Sequence, residues 1–359
     1  MHRARDAAID VAAAAAGDAL GFFAAMHAVF RQAKEVAGER RSIGLRIAGR
    51  SVCMRFAGPA LLPVLAPAFA HLLRSSAEPP DLTVCCWDDA STGVTTPEPR
   101  VSADRAGIEF VDGPVKLAWE PGQRAIAAFS ATQRLALVRF QDAGAVPVWE
   151  RAAPLRRILH WWASGLGLQL VHAAAVGTRQ GGVLLVGRGG SGKSTTALAC
   201  VGSALGYAGD DYCLLSFDDG PRVHALYGSG KADAASGARL PRLQSTFAAS
   251  ALRGEGKSVI FVEDSFPGTM IDTFPLRAVV VPRIAGDAAC RLDPMPRAAA
   301  LRAVAPSTLF QLPGDRGESL SRLAALVREL PCWQLSLGPD PAAAQPLLEN
   351  LLRNEARPR

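Results

Sequence analysis

Eight consecutive residues constrain this chain more than any other stretch: Gly187-Arg188-Gly189-Gly190-Ser191-Gly192-Lys193-Ser194. They match G-x-x-x-x-G-K-[ST] at every fixed position. Residues 183–186 form an apolar run that reads as a buried strand, and residues 194–204 read as a helix. Glycines let such a turn take positive φ and approach an anion closely. Successive N–H groups then point inward, and the helix N-terminus adds positive potential. Lys193 supplies a mobile charge for β- and γ-phosphates, and the Ser194 hydroxyl is the expected Mg²⁺ ligand. The candidate cradle is Gly187, Gly189, Gly190, Ser191, Gly192, Lys193, Ser194 and Thr195. The chain therefore reads as an α/β protein that binds ATP with Mg²⁺. A loop of this kind does not by itself separate a kinase from a motor or a switch.

Downstream, Asp210-Asp211 stands just before a strand-like run. One carboxylate of such a pair can hold Mg²⁺ while the other takes a proton from an incoming hydroxyl. Two carboxylates this close also push one pKa up. Ser194, Asp210 and Asp211 are thus the metal candidates, and Asp210, Asp211, His172 and Lys193 the catalytic ones. His172 lies on the strand one hairpin before the loop strand. Lysine is scarce, at five residues, and Lys231 and Lys257 both sit in glycine-bearing segments that suit a further phosphate contact.

Around this core the pattern divides the chain into an N-terminal α+β domain over 1–148, a P-loop catalytic domain over 149–352 and a tail over 353–359. Residues 1–40 read as helix. Residues 42–56 read as two strands with a turn at Gly49-Arg50, and 59–73 as a short helix. Strands are expected at 82–87, 107–111, 115–119, 125–130 and 135–140. Residues 148–168 read as one helix and 170–176 as one strand. Further strands are expected at 212–217, 222–226, 257–262, 278–282 and 333–337, with helices at 296–304, 318–330 and 341–352.

The net charge of +6 is spread along the chain without a block of five Lys or Arg, so no nucleic-acid partner is expected. No run of 18 apolar residues occurs, and Asp6, Asp10 and Asp18 interrupt the N-terminal apolar stretch, so neither a membrane span nor an export signal is expected. Seven cysteines without a C-x-x-C suit buried free thiols in the cytoplasm.

The segment Val171-His172-Ala173-Ala174-Ala175-Val176, the P-loop and Gly209-Asp210-Asp211 together resemble the HPr kinase/phosphorylase catalytic domain over residues 165–340. The likeness is to its divergent members, which include kinases of lasso-peptide precursors. It implies a P-loop core of the HPr kinase/phosphoenolpyruvate carboxykinase type. It also implies ATP, Mg²⁺ and a peptide or protein serine as acceptor, with His172 supporting the carboxylates or phosphates. Thr195-Thr196 stands where bifunctional members carry an acidic residue, so phosphorolysis is not expected. The N-terminal domain would present the substrate or mediate assembly, which leaves room for a homo-oligomer. Two other readings stay open: a nucleotide-binding module without transfer, and a hydrolytic NTPase, for which Phe261-Val262-Glu263-Asp264 is a loose mark.

Overall fold

The computed structural model describes residues 19–37, 40–75, 79–97, 108–286, 289–312 and 316–355. The helix expected over residues 1–18, the start of the strand expected at 107 and the last four residues of the tail lie outside these. The chain packs as two compact units. One comprises residues 1–46, 50–64 and 74–147; the other comprises 47–49, 65–73 and 148–359.

The first unit is a seven-stranded sheet made of β1 (Arg40–Ile47), β2 (Arg50–Ala57), β3 (Leu82–Asp88), β4 (Ile108–Asp112), β5 (Val115–Glu120), β6 (Ala125–Ser130) and β7 (Leu135–Phe140). Its order is β1-β2-β3-β7-β6-β5-β4. The β1–β2 turn falls on Ala48-Gly49, one residue earlier than expected. Both residues take positive φ, 48° and 79°, as tight hairpins demand. Helix α1 (Ala19–Val36) buries Phe22, Phe23, Met26, Val29, Phe30 and Ala33, the spacing of one helical face. That stripe packs with Trp87, Leu117 and Leu137, and each large side chain so buried contributes roughly 1.5–3 kcal/mol. Arg139 on β7 is buried and paired with Asp89, which also accepts from the Thr96 amide and hydroxyl.

The second unit holds the P-loop. Its strands are β8 (Gln169–Val171), β9 (Ala174–Thr178), β10 (Gly181–Leu185), β11 (Gly206–Gly209), β12 (Cys213–Ser216), β13 (Arg222–Ala225), β14 (Ser229–Asp233), β15 (Arg253–Gly254), β16 (Lys257–Phe261), β17 (Thr273–Ile284), β18 (Arg291–Pro294) and β19 (Cys332–Leu337). The main sheet runs β11-β9-β10-β17-β13-β12-β8, with β19 beside β17 and β18 beside β19; β14-β16-β15 is a separate small sheet. The 12-residue β17 serves two sets of neighbours. Its start pairs antiparallel with β13, and its later residues run parallel to β10 and β19.

Side chains alternate across these strands. Val183 and Leu185 face a core closed by α3 (Lys193–Ala199) and α6 (Ala344–Glu355), whereas Leu184 and Val186 face one closed by α4 (Arg297–Gln311) and α5 (Arg316–Glu329). Helices therefore cover both faces, which is why residues 183–186 read as an unbroken apolar run.

Two expected elements are split. The helix over 148–168 becomes Val148–Ala152 and α2 (Arg156–Gly165), because Pro154 cannot continue a helix and Leu155 turns to φ 59°. The strand over 170–176 breaks at His172-Ala173 into β8 and β9, which lie far apart in the sheet order. Helix α6 runs on to Glu355, into the expected tail. All seven cysteines are free, and six are buried. Among the described residues no helix is long and apolar enough to cross a membrane.

Candidate active site

The split at His172 builds the site. β9 pairs with β11, and β8 pairs with β12. The two links, His172-Ala173 between β8 and β9 and Asp210-Asp211-Tyr212 between β11 and β12, therefore run side by side. His172 Nε2 lies 3.0 Å from Asp211 Oδ1 as a result. Gly209 makes the second link turn. It sits at φ 146°, and a side chain there would press on Cys213 Sγ and the Tyr212 carbonyl, both at 3.3 Å.

The phosphate loop follows β10 directly. Gly192, at φ 102°, ends it; a β-carbon there would stand 2.3 Å from Leu337 Cδ1. Lys193 is buried, and its ammonium donates to the carbonyls of Gly187 at 2.7 Å and Arg188 at 3.3 Å. Burial lowers its pKa, with Asp211 and Asp210 opposing. Ser191 Oγ is buried in the loop without a partner.

Lys231 on β14 ties both carboxylates. Its backbone N–H donates to Asp210 Oδ2 at 3.0 Å, and its ammonium donates to Asp211 Oδ2 at 2.7 Å. The two acids differ sharply in environment. Asp210 is 2% exposed, and burial together with the neighbouring Asp211 charge pushes its pKa up to about 6. Lys231 and the nearby Ser194 hydroxyl oppose that rise. Burial also works against charge on Asp211, but Lys231 and His172 prevail and hold its pKa below the usual carboxylate range. At neutral pH Asp211 is ionised, and Asp210 is ionised at a cost.

Asp210 Oδ1 is buried and makes no hydrogen bond of good geometry, although Ser194 is close enough to affect the acid's pKa. An orphaned carboxylate oxygen beside the P-loop hydroxyl fits a hard cation, which takes few protein oxygens and completes its shell with water and phosphate. Among the described residues no cluster of three or more His, Cys, Asp or Glu forms a metal cage, which suits such a cation and excludes a structural zinc there.

A cavity of about 620 Å³ opens over the loop. It is lined by residues 189–195, His172, Asp211 and Lys231, and by Lys257, which is exposed at its rim. The structure thus gathers His172, Lys193, Ser194, Asp210, Asp211 and Lys231 at one place. Lys257 lies close enough to lower the Lys193 pKa. Glu263 and Asp264 do not line the cavity; Glu263 accepts from the Gly268 amide instead. Sequence reasoning missed Arg156, Tyr212 and Gln311, which also line the cavity. Arg156 Nη1 donates to the Tyr212 hydroxyl at 2.7 Å, and that hydroxyl donates to Gln311 Oε1 at 2.8 Å. The available signal was a charged residue at the start of an otherwise apolar helical stripe.

No protein-family model matches the chain. No curated protein matches it either. Among solved structures the chain is similar to the Hpr(Ser) kinase/phosphatase from Coxiella burnetii, at 14% identity over 52% of this chain and 95% of that one, with a TM-score of 0.28. At that score the likeness carries no weight of its own, and what the site can do follows from its residues.

Proposed function

We propose that this protein is an ATP- and Mg²⁺-dependent phosphotransferase that passes the γ-phosphoryl group to a serine hydroxyl of a peptide or protein. The observation that carries this reading is the carboxylate pair beside the phosphate loop, whose two members are driven to opposite proton affinities. A nucleotide-binding module without transfer has no use for such a pair.

Ser194 and Asp210 would hold Mg²⁺, which when bound supplies positive charge to the β- and γ-oxygens. The loop amides and Lys193 hold the phosphates. Asp211 faces the cavity, ionised, with His172 fixing one oxygen and Lys231 the other. It orients the acceptor hydroxyl and takes its proton as the new O–P bond forms and the bond to ADP breaks. A weakly basic acid suffices, because the hydroxyl gives up its proton late in a loose transfer. Lys231 lies beside that oxygen and steadies charge on the phosphoryl group. Lys257 offers a further contact at the rim.

The test is transfer of labelled γ-phosphate to serine-containing peptides. Wild type is compared with Lys193→Ala and with the Asp210→Asn/Asp211→Asn double variant. Labelled peptide that disappears in both variants supports the reading. Free phosphate released at the same rate with and without acceptor would replace it with hydrolysis.

A further inference from the structure

Of the cations lining the cavity, Lys193 is engaged with loop carbonyls, Lys231 with Asp211, and Arg239 and Lys257 are exposed at the edge. Arg156 is different. It is half-buried, and a guanidinium stays charged at any working pH. Its hydrogen bond is to a neutral phenol, the Tyr212 hydroxyl, and its carbon lies 5.1 Å from that ring's centre. Among the described residues no carboxylate is within ion-pair distance of it. Glu150, near enough to act on its charge, accepts from the Leu155 amide. A guanidinium has five N–H donors. None of the Arg156 nitrogens is a buried orphan, so its remaining donors are open to what enters the cavity.

The position of this charge is informative. The Tyr212 ring lies between Arg156 and His172, whose own ring is 5.3 Å from it. His172 in turn touches Asp211. Arg156 is therefore one aromatic ring away from the group that would receive the acceptor's proton. That distance is within the reach of one or two residues of an extended peptide.

We propose that Arg156 binds a carboxylate of the acceptor, carried next to the hydroxyl that is phosphorylated. The fork of a guanidinium matches a carboxylate through paired N–H donors, and a cavity that withdraws the pair from water strengthens it. This inference rests on the phosphotransfer reading above. The carboxylate has two sources, the chain terminus of a peptide ending in serine or an acidic side chain beside an internal serine. Arg156 would be a specificity-determining residue, not a phosphate contact.

The experiment uses the full chain with Mg²⁺ and labelled ATP. The probes are a degenerate serine hexapeptide library as free acids and the same library as C-terminal amides. Wild type, Arg156→Gln and Arg156→Lys are compared, with ATP affinity and thermal unfolding measured for each. The expected result is an Arg156→Gln protein that folds and binds ATP as wild type does. Its KM for the preferred peptides rises about tenfold or more while kcat stays within about threefold, and Arg156→Lys recovers part of the loss. Preference for acids over amides assigns the terminal carboxylate. Equal use of both libraries, with Asp or Glu enriched beside the labelled serine, assigns the side chain. Labelling that ignores acidity and tolerates Arg156→Gln overturns the inference and leaves the kinase reading standing. So does a kcat loss shared by every peptide, which would make Arg156 a phosphoryl contact. Failure of either library to be labelled, with ATP still bound, removes both.

Discussion

Asparagine at 210 and at 211 should move stability in opposite directions. The folded pKa of Asp210 is raised to about 6, against an unfolded value of about 3.9. Between those values the folded state holds the proton more tightly, so stability falls as pH rises through the window, and the cost is complete above it. At about 1.4 kcal/mol per pK unit, an ionised Asp210 costs roughly 3 kcal/mol at pH 8. Asparagine is neutral, keeps an oxygen for the Lys231 amide and removes that cost. Asp210→Asn should therefore raise the melting temperature of the metal-free protein by about 5–10 °C at pH 8, taking roughly 2–4 °C per kcal/mol for a domain of this size. The gain should fade below about pH 4, where both states are protonated. Asp211 is the reverse case. Its folded pKa is depressed, so it stabilises above its unfolded value, and that contribution is lost as pH falls. Asp211→Asn leaves Lys231 and His172 without their anion and should lower stability by about 1–3 kcal/mol at pH 8. The assay is thermal unfolding by circular dichroism from pH 4 to 9 with chelator present. A loss of stability in Asp210→Asn, or a gain that ignores pH, would refute the assignment of strain to Asp210.

Other predictions concern single contacts. Lys231→Met should keep ATP affinity within a few-fold while lowering transfer by about 10²–10³, because it removes a cation beside the reacting oxygens; equilibrium binding and single-turnover rates measured side by side separate the two. Gly192→Ala places a β-carbon 2.3 Å from Leu337 Cδ1 at a φ of 102° and should cost about 2 kcal/mol or more; denaturant unfolding reads it, and pairing it with Leu337→Ala should recover part of the loss. Tyr207→Phe removes a 2.7 Å bond to the buried Ser229 carbonyl and should cost about 1–2 kcal/mol without changing ATP affinity. In the first unit, Asp89→Ala strands the buried Arg139 charge and should cost about 3–5 kcal/mol, read by the same unfolding measurement.

The parts of this molecule that could be read in advance are those whose demands are local. The phosphate loop needs particular residues at successive positions, so its eight letters announce it. Strands β6 and β7 were legible because alternation and flanking turns agreed within six residues. What escaped was decided at a distance. The run 170–176 is uniformly apolar, so nothing in it marks His172-Ala173 as a crossing from one group of strands to another. Gly206-Tyr207-Ala208-Gly209 and Ser229–Asp233 carry too few β-formers to read as strands, yet β11 and β14 are held by backbone pairing to β9 and β16. β17 continues through Pro275 and Pro282, which shortened it in a reading by propensity. The pairing of His172 with Asp211 depends on that strand order, and no spacing along the chain could express it.

Lys231 grips one carboxylate with its main chain and the other with its side chain, and the two grips differ in how they can be lost. A substitution at this position erases the ammonium but, unless it is proline, leaves the amide. Descendants of this chain that drifted at residue 231 would keep the cation-holding acid in place and lose the partner of the proton-accepting one. They would still close on a nucleotide and no longer spend it. One codon thus separates a catalyst from a nucleotide-sensing relative, and the backbone decides which half survives.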